Sequence, residues 1–286
     1  MLDWRSFLFF VLPLRSPCFV CFSNMPATKY TYQTSFEALH SAAAAHIRKD
    51  GISTHRDHVL QLGVLVGHLC SSFLAHAPLD AKRAPLSDMS PVEKENSSFF
   101  WMEDSQGHEE MAEGMGRLLW ALVLAAETCH MDLGDCILKK IVLNSKKYPV
   151  ELVKGKSGKY TAYSDQTGIT KTEGQSTRDL QAEGTKTVEE VTGRIRVFAT
   201  ERLWSRYHTP RNLVLALMGE LGELAELFQW RGDDPESGGM EGWSQDDLDH
   251  VGQEFADVAI YLLRLADVCH IKNIGTLALS HSVTIL

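Results

Sequence analysis

Glu220, Glu223 and Glu226 recur at three-residue steps within NLVLALMGELGELAELFQW, residues Asn212 to Trp230. Leu217, Leu221, Leu224 and Phe228 recur there at helical spacing. Glu220 falls three residues after Leu217 and four before Leu224, so it belongs on or beside the buried stripe. A second stretch, VGQEFADVAIYLLRL (Val251 to Leu265), places Glu254 and Asp257 one turn apart, flanked by Val251, Phe255, Val258, Leu262 and Leu265. A carboxylate beside an apolar stripe is costly to desolvate, and several together repel unless a cation neutralises them. Two antiparallel helices, each carrying an acidic pair at i, i+3, can direct four carboxylates at one point. Hard oxygen donors of this kind suit Mg²⁺, which also binds phosphate oxygens and water. Glu220, Glu223, Glu254 and Asp257 are therefore the expected metal ligands. Glu226, one turn further on, is placed to orient or deprotonate a bound water as the catalytic base.

The elements that must hold these groups are helices throughout. Apolar periods predict helices over Ser35–Lys49, His58–Leu74, Glu109–His130 and Ile137–Lys147, the last ended by Pro149. Further helices are expected over Thr187–Trp204, with Thr187 as N-cap and Glu190 completing a capping box, and over the two acidic stretches. Ala77–Asn96 is polar and contains proline, which predicts a loop. Residues 154–186 are rich in Gly, Ser, Thr and charge, which predicts a linker.

ERLWSRYHTPRNLVLALMGELGELAELFQWRGD (Glu201 to Asp233) and QEFADVAIYLLRLADVCH (Gln253 to His270) resemble the MazG-like all-α nucleoside triphosphate pyrophosphohydrolases, and among them the dCTP pyrophosphatases. E-x-x-E followed by E-x-x-D on a second helix is the metal signature of that family. The resemblance implies hydrolysis of a nucleoside triphosphate, with dCTP or a modified dCTP foremost, to the monophosphate and pyrophosphate with Mg²⁺. Attack at the α-phosphorus comes from the resemblance alone. It also implies base recognition by Trp204, His208, Trp230 and Tyr261; ordinary core packing accounts equally well for the two tryptophans. Arg211, after Pro210, either contacts phosphate or fixes the turn.

The order of elements repeats. Setting Arg56 beside Arg211 pairs Gly67 with Gly222 and Phe73 with Phe228. Setting Cys129-His130 beside Cys269-His270 pairs Leu118 with Val258 and Leu122 with Leu262. The halves read as divergent copies of one helical unit. On this pairing Leu65, His68, Gly114 and Arg117 stand for Glu220, Glu223, Glu254 and Asp257, so the first copy cannot hold the metal in this way. It keeps KIVLNSKKYPVEL (Lys140 to Leu152), which resembles the helix that follows the catalytic helices in the family. Lys140, Asn144 and Lys147 share roughly one helical face, and with Tyr148 they suit a triphosphate. After His270 the second copy has no match to this segment, so each half holds a part that the other lacks.

The expected architecture is all-α, with two four-helix-type MazG-like bundles packed as an internal pseudo-dimer. Its boundaries are a leader or non-native extension (1–24), a degenerate helical domain (25–153), the linker (154–186), a metal-binding domain (187–271) and an irregular tail (272–286). Short apolar helices need partners, so further homo-oligomerisation is expected. Phe7 to Leu14 is too short and interrupted to span a membrane, and no membrane partner is expected. A cytosolic location is expected. Organelle targeting by residues 1–24 and a working start at Met25 are both compatible with the change in composition there.

The chain has 286 residues, 44% of them hydrophobic, and a net charge of −9 with no basic tract, which argues against a general nucleic-acid binder. Its six cysteines are scattered; Cys18-x-x-Cys21 has no second pair for zinc, and ESGGMEG has neither the preceding strand nor the following Lys-Ser/Thr of a P-loop. Two other readings remain at this stage. One is a nucleotide-binding or oligomerisation protein that kept the fold, and the other is a different metal-dependent phosphohydrolase.

Overall fold

A computed structural model describes residues 33–50, 54–76, 105–156, 186–232 and 240–282. Among these residues the regular elements are helices, joined by one isolated antiparallel bridge between Ser35 and Thr187. The fold is all-α. The helices are α1 (Phe36–Asp50), α2 (His55–His76), α3 (Ser105–Thr128), α4 (Leu133–Lys147), the single turn α5 (Val150–Val153), α6 (Val188–Glu201), α7 (Pro210–Phe228), α8 (Gln245–Val268) and α9 (Ile274–His281). A short 3₁₀ turn, Trp204–Arg206, lies between α6 and α7.

Side-chain caps set most of the starts. Thr187 accepts from the Glu190 amide at 3.1 Å to open α6, but the Glu190 carboxylate turns to Arg194 at 2.8 Å. The capping box expected there is therefore half made. Thr209 and Pro210 open α7, with Pro210 losing nothing because an N1 amide has no partner within the helix. Ser244 and Asp247 form a full capping box, which starts α8 six residues before the apolar period begins at Val251. Pro149 ends α4 as expected and then serves as N-cap of α5.

One expectation is overturned. The sequence predicts an irregular tail over residues 272–286, but Ile274–His281 is a helix with Ile274, Gly275 and Ala278 buried. Its cue is a close approach between backbones, which periodicity does not reveal. A Cβ on Gly116 of α3 would lie 2.6 Å from Leu277 Cβ, and one on Gly275 would lie 2.9 Å from Thr34 Cβ. The side chain missing at Gly116 lets α9 lie against α3, and the one missing at Gly275 lets it approach Thr34 and Val188. The leader 1–24, the loop Ala77–Asn96 and linker residues 157–185 lie outside the described residues.

α7 packs on α8 and α2 on α3, while α2 also meets α7. Two further pairings also cross between the halves: α4 packs on α8, and α9 on α3. The expected stripe residues Leu217, Leu221, Leu224, Phe228, Val251, Phe255, Val258, Leu262 and Leu265 are all buried in one core. α3 and α8 end alike. His130 (φ 56°) and His270 (φ 58°) both adopt the left-handed region, and the amides of Met131 and Ile271 return to Ala126 O and Ala266 O, each at 2.9 Å. This is the Schellman arrangement with histidine in place of glycine. Among the described residues, one segment, His55–Ala75 in α2, is long and apolar enough to cross a membrane by length and composition. Here its Val59, Leu62, Val66, Leu69 and Phe73 face the core.

Candidate functional site

α7 and α8 lie side by side, and their carboxylates meet. Glu220, Glu223 and Glu254 each offer an oxygen within 4.8 Å of the others. Their exposures differ because the helices bury different faces: Glu254 is buried, Glu220 half-buried and Glu223 exposed. Glu254 Oε2 is shut away from solvent with no hydrogen-bond partner, while Oε1 lies 3.4 Å from His250 Nε2. A buried carboxylate oxygen without a donor is costly, and an ion is the simplest compensation. Burial, then Asp257, Glu223 and Glu254, push the Glu220 carboxyl up to about 7. Burial, then Asp257 and Glu223, raise Glu254, and burial, with Glu223, raises Asp257 against the pull of Lys140. Three converging, mutually repelling carboxylates fit a hard divalent cation.

Asp257 stands beside this trio and is engaged differently. It forms an ion pair with Lys140, which comes from α4 in the other half of the sequence. The two side chains are mostly buried, 16% and 12% exposed, so the pair is strongly held. Lys147 also bears on Asp257, and Tyr148 on Tyr261. Burial, with Glu220 and Asp257 next, holds the Tyr261 hydroxyl well above the usual phenol range. Asn144 is half-buried on the same helix, and its carbonyl accepts from the Tyr148 amide. α4 thus brings cations and a phenol ring to the acidic helices.

An aromatic group adjoins them. The Trp204 ring meets Tyr148 edge-on at 5.4 Å and Phe198 at 5.8 Å, and lies 6.2 Å from His208. Trp204 Nε1 donates to Lys156 O at 2.8 Å, and Tyr207 Oη to Gly155 O at 2.7 Å. Gly155 has φ +74°, a turn that glycine makes without strain, and its amide donates to Arg202 O. Arg202 is buried; its Nε donates to Tyr148 O at 2.9 Å and its guanidinium lies 3.6 Å from the centre of the Phe198 ring. The chain after α4 is thereby laced to the end of α6.

Three expected residues are placed apart. Trp230 is 88% exposed at the end of α7, and the rings that pack on Phe228 are Trp243, at 5.4 Å, and His55, at 6.1 Å. Glu226 and Arg211 are exposed and lie outside the carboxylate trio. Sequence reasoning passed over Arg264 and Asp267. Both are in α8, and Asp257, Tyr261 and Arg264 follow at i, i+4 and i+7, a spacing that could have marked the arginine. Arg202 had no such signal, because its partners are backbone carbonyls.

No family model matches the chain, and no solved structure matches it. Curated relatives do. Rat dCTP pyrophosphatase 1 is 51% identical over 75 residues, which is 26% of this chain and 42% of the relative. The human protein of that name is 51% identical over 74 residues, and the mouse protein 50% over the same length. The chain spans less than half the length of these relatives. A region covering about a quarter of the chain is thus similar to dCTP pyrophosphatase 1.

Proposed function

We propose that this chain is a Mg²⁺-dependent nucleoside triphosphate pyrophosphohydrolase. Its substrate would be dCTP or a modified dCTP, cleaved to the monophosphate and pyrophosphate. The observation that carries the reading is the meeting of Glu220, Glu223 and Glu254 within 4.8 Å in a chain with a dCTP pyrophosphatase-like region. Mg²⁺ bound there would neutralise phosphate charge and acidify a water. The orphaned Glu254 oxygen and the raised Glu220 carboxyl support those two as the strongest ligands, with Glu223 on the solvent side and Asp257 steadied by Lys140. Glu226, exposed one turn past Glu223, is the base that would act on water arriving from solvent. Lys140, Lys147 and Asn144 would face the triphosphate, while Trp204, Tyr148, His208 and Tyr261 would enclose the base. Pyrophosphate release from dCTP should require Mg²⁺ and fall at least about 100-fold in Glu220→Gln, as loss of a ligand carboxylate predicts. Release of single phosphate in its place would favour a different phosphohydrolase, and no release with tight dCTP binding would favour a binding protein.

The two halves we read as an internal pseudo-dimer. Supporting this are the matching ends of α3 and α8, the bridge joining the starts of α1 and α6, and the crossed packing of α4 and α9. One outer face also favours a second copy of the chain as partner. Leu60 (69% exposed) and Val64 on α2, with Leu215 and Met218 on α7, leave a row of apolar side chains in solvent. The two helices are continuous there, since Cys70 Sγ lies 3.6 Å from Met218 Sδ. An exposed apolar patch of this kind can be buried against the same patch of a second copy about a two-fold axis. Sedimentation should give a dimer of chains that Leu60→Glu with Leu215→Glu reduces to monomer; a monomeric parent would refute the contact.

A further inference from the structure

His208 lies just before α7 and is largely buried beside Trp204. Its Nδ1 is 3.2 Å from Arg264 Nε. A guanidinium carries five N–H donors and no acceptor, so Nδ1 must present its lone pair to it. The proton of the neutral ring then sits on Nε2. Arg264 cannot turn away to relieve this assignment. It is 5% exposed, its Nη1 is paired with Asp267, and the other oxygen of Asp267 accepts from Arg196 Nε at 2.8 Å. One charge-assisted bond thus ties the arginine to Asp267, and a second holds Asp267 in place. A doubly protonated His208 would set a second donor against the guanidinium. Burial first, and then Arg264, accordingly push its pKa down to about 4. Among the described residues, none bonds to Nε2.

We propose that Arg264, held by Asp267 and Arg196, is a positioning residue that locks His208 in its neutral Nε2–H tautomer, so that a ligand ring entering beside Trp204 and Tyr148 meets a fixed hydrogen-bond donor. The ligand class is a heterocycle with a lone pair at its facing edge. Cytosine qualifies through the lone pair on N3, where thymine and uracil present N3–H. This rests on the reading of the aromatic group as a base pocket. A fixed donor rejects a facing N–H because the two donors are left unpaired in a desolvated site.

Nitrogen-15 NMR of the histidine-labelled full chain tests the clamp without any nucleotide. Between about pH 5.5 and pH 8, His208 should show a protonated Nε2, a bare Nδ1 and no titration, whereas a free imidazole titrates near 6.5. The reverse tautomer, or titration near that value, overturns the proposal. In Arg264→Met the ring should titrate normally. KM for dCTP should rise about tenfold with kcat within about twofold, and the preference for dCTP over dUTP should shrink by a similar factor, as loss of one oriented hydrogen bond predicts. Unchanged KM and unchanged preference would also overturn it. If that variant does not fold, Asp267→Asn should give a smaller change of the same kind, and the parent spectra decide the tautomer alone. Failure of the parent chain to bind dCTP would sink the nucleotide reading instead, leaving the nitrogen spectra to judge the clamp.

Discussion

On the proposed pairing of the two halves, α2 with α3 answers α7 with α8, and the two helix pairs have opposite contents. At the positions that pair in sequence, the first carries Leu65, His68, Gly114 and Arg117, and the second carries Glu220, Glu223, Glu254 and Asp257. Leu65 packs on the common core, and a Cβ on Gly114 would sit in ordinary contact with Leu69, so the first pair closes over its own apolar groups. The second keeps a buried carboxylate oxygen without a partner. A chain that can close the first pair with apolar side chains does not need acids in the second for stability. The difference teaches that the acidic group opposes folding locally, and that something outside packing must account for it. The fourth helices differ in the complementary direction. α4 carries Lys139, Lys140, Lys146 and Lys147 and lies on the acidic pair, while α9 carries no lysine and lies on the apolar one.

Three changes would break or sharpen this contrast. The largest effect should come from glycine in the apolar pair. Gly116→Ala sets a Cβ against Leu277 and should destabilise the fold by about 1–3 kcal/mol, whereas Gly63→Ala, with nothing within 4 Å of its Cβ, should stabilise it by about 0.5–1 kcal/mol. Denaturant midpoints check both signs, and equal midpoints would remove the reason given for the docking of α9. Next comes Lys140→Met. It leaves Asp257 mostly buried without its cation, and kcat/KM for dCTP should drop about tenfold. Full activity in this variant would mean that the first half only props up the second.

The smallest effect is a slope with pH. An ordinary glutamate titrates near 4.5, and Glu220 is held at about 7. Between those values the folded chain binds more protons than the unfolded one, so stability falls as pH rises through that window. Glu254 and Asp257 are raised too and act in the same direction. With a chelator present, melting temperature should therefore decline from about pH 5 to about pH 7. Mg²⁺ should flatten the decline, and so should Glu220→Gln. A melting temperature that climbs over this range in chelator would contradict the crowding of these carboxylates.

The helices that matter most were legible in the sequence because an apolar period and a polar cap coincide in them. The apolar stripes that run from Leu217 to Phe228 and from Val251 to Leu265 are buried as their spacing requires, and Thr187 caps where expected. Glu220, Glu223 and Glu254 were legible as a group because each interrupts such a period. The rest depended on partners remote in sequence. α9 is short and is held by what glycine omits from α3, so its own residues carry little sign of it. Trp230 is expected at the base site from the resemblance alone, yet its ring sits 88% in solvent, and Trp243 packs against Phe228. Arg202 and Arg264 act through a carbonyl and an imidazole that no local pattern announces.

The crossing of α4 onto α8 has a consequence for how such a chain can change. An alteration at Lys140 is felt at Asp257, in the opposite half of the molecule. The apolar half is therefore no idle passenger free to drift or to be trimmed away. Severing the chain between the halves would strand the lysine-bearing helix on one fragment and the acids on the other, and only their reunion would restore a complete charge balance.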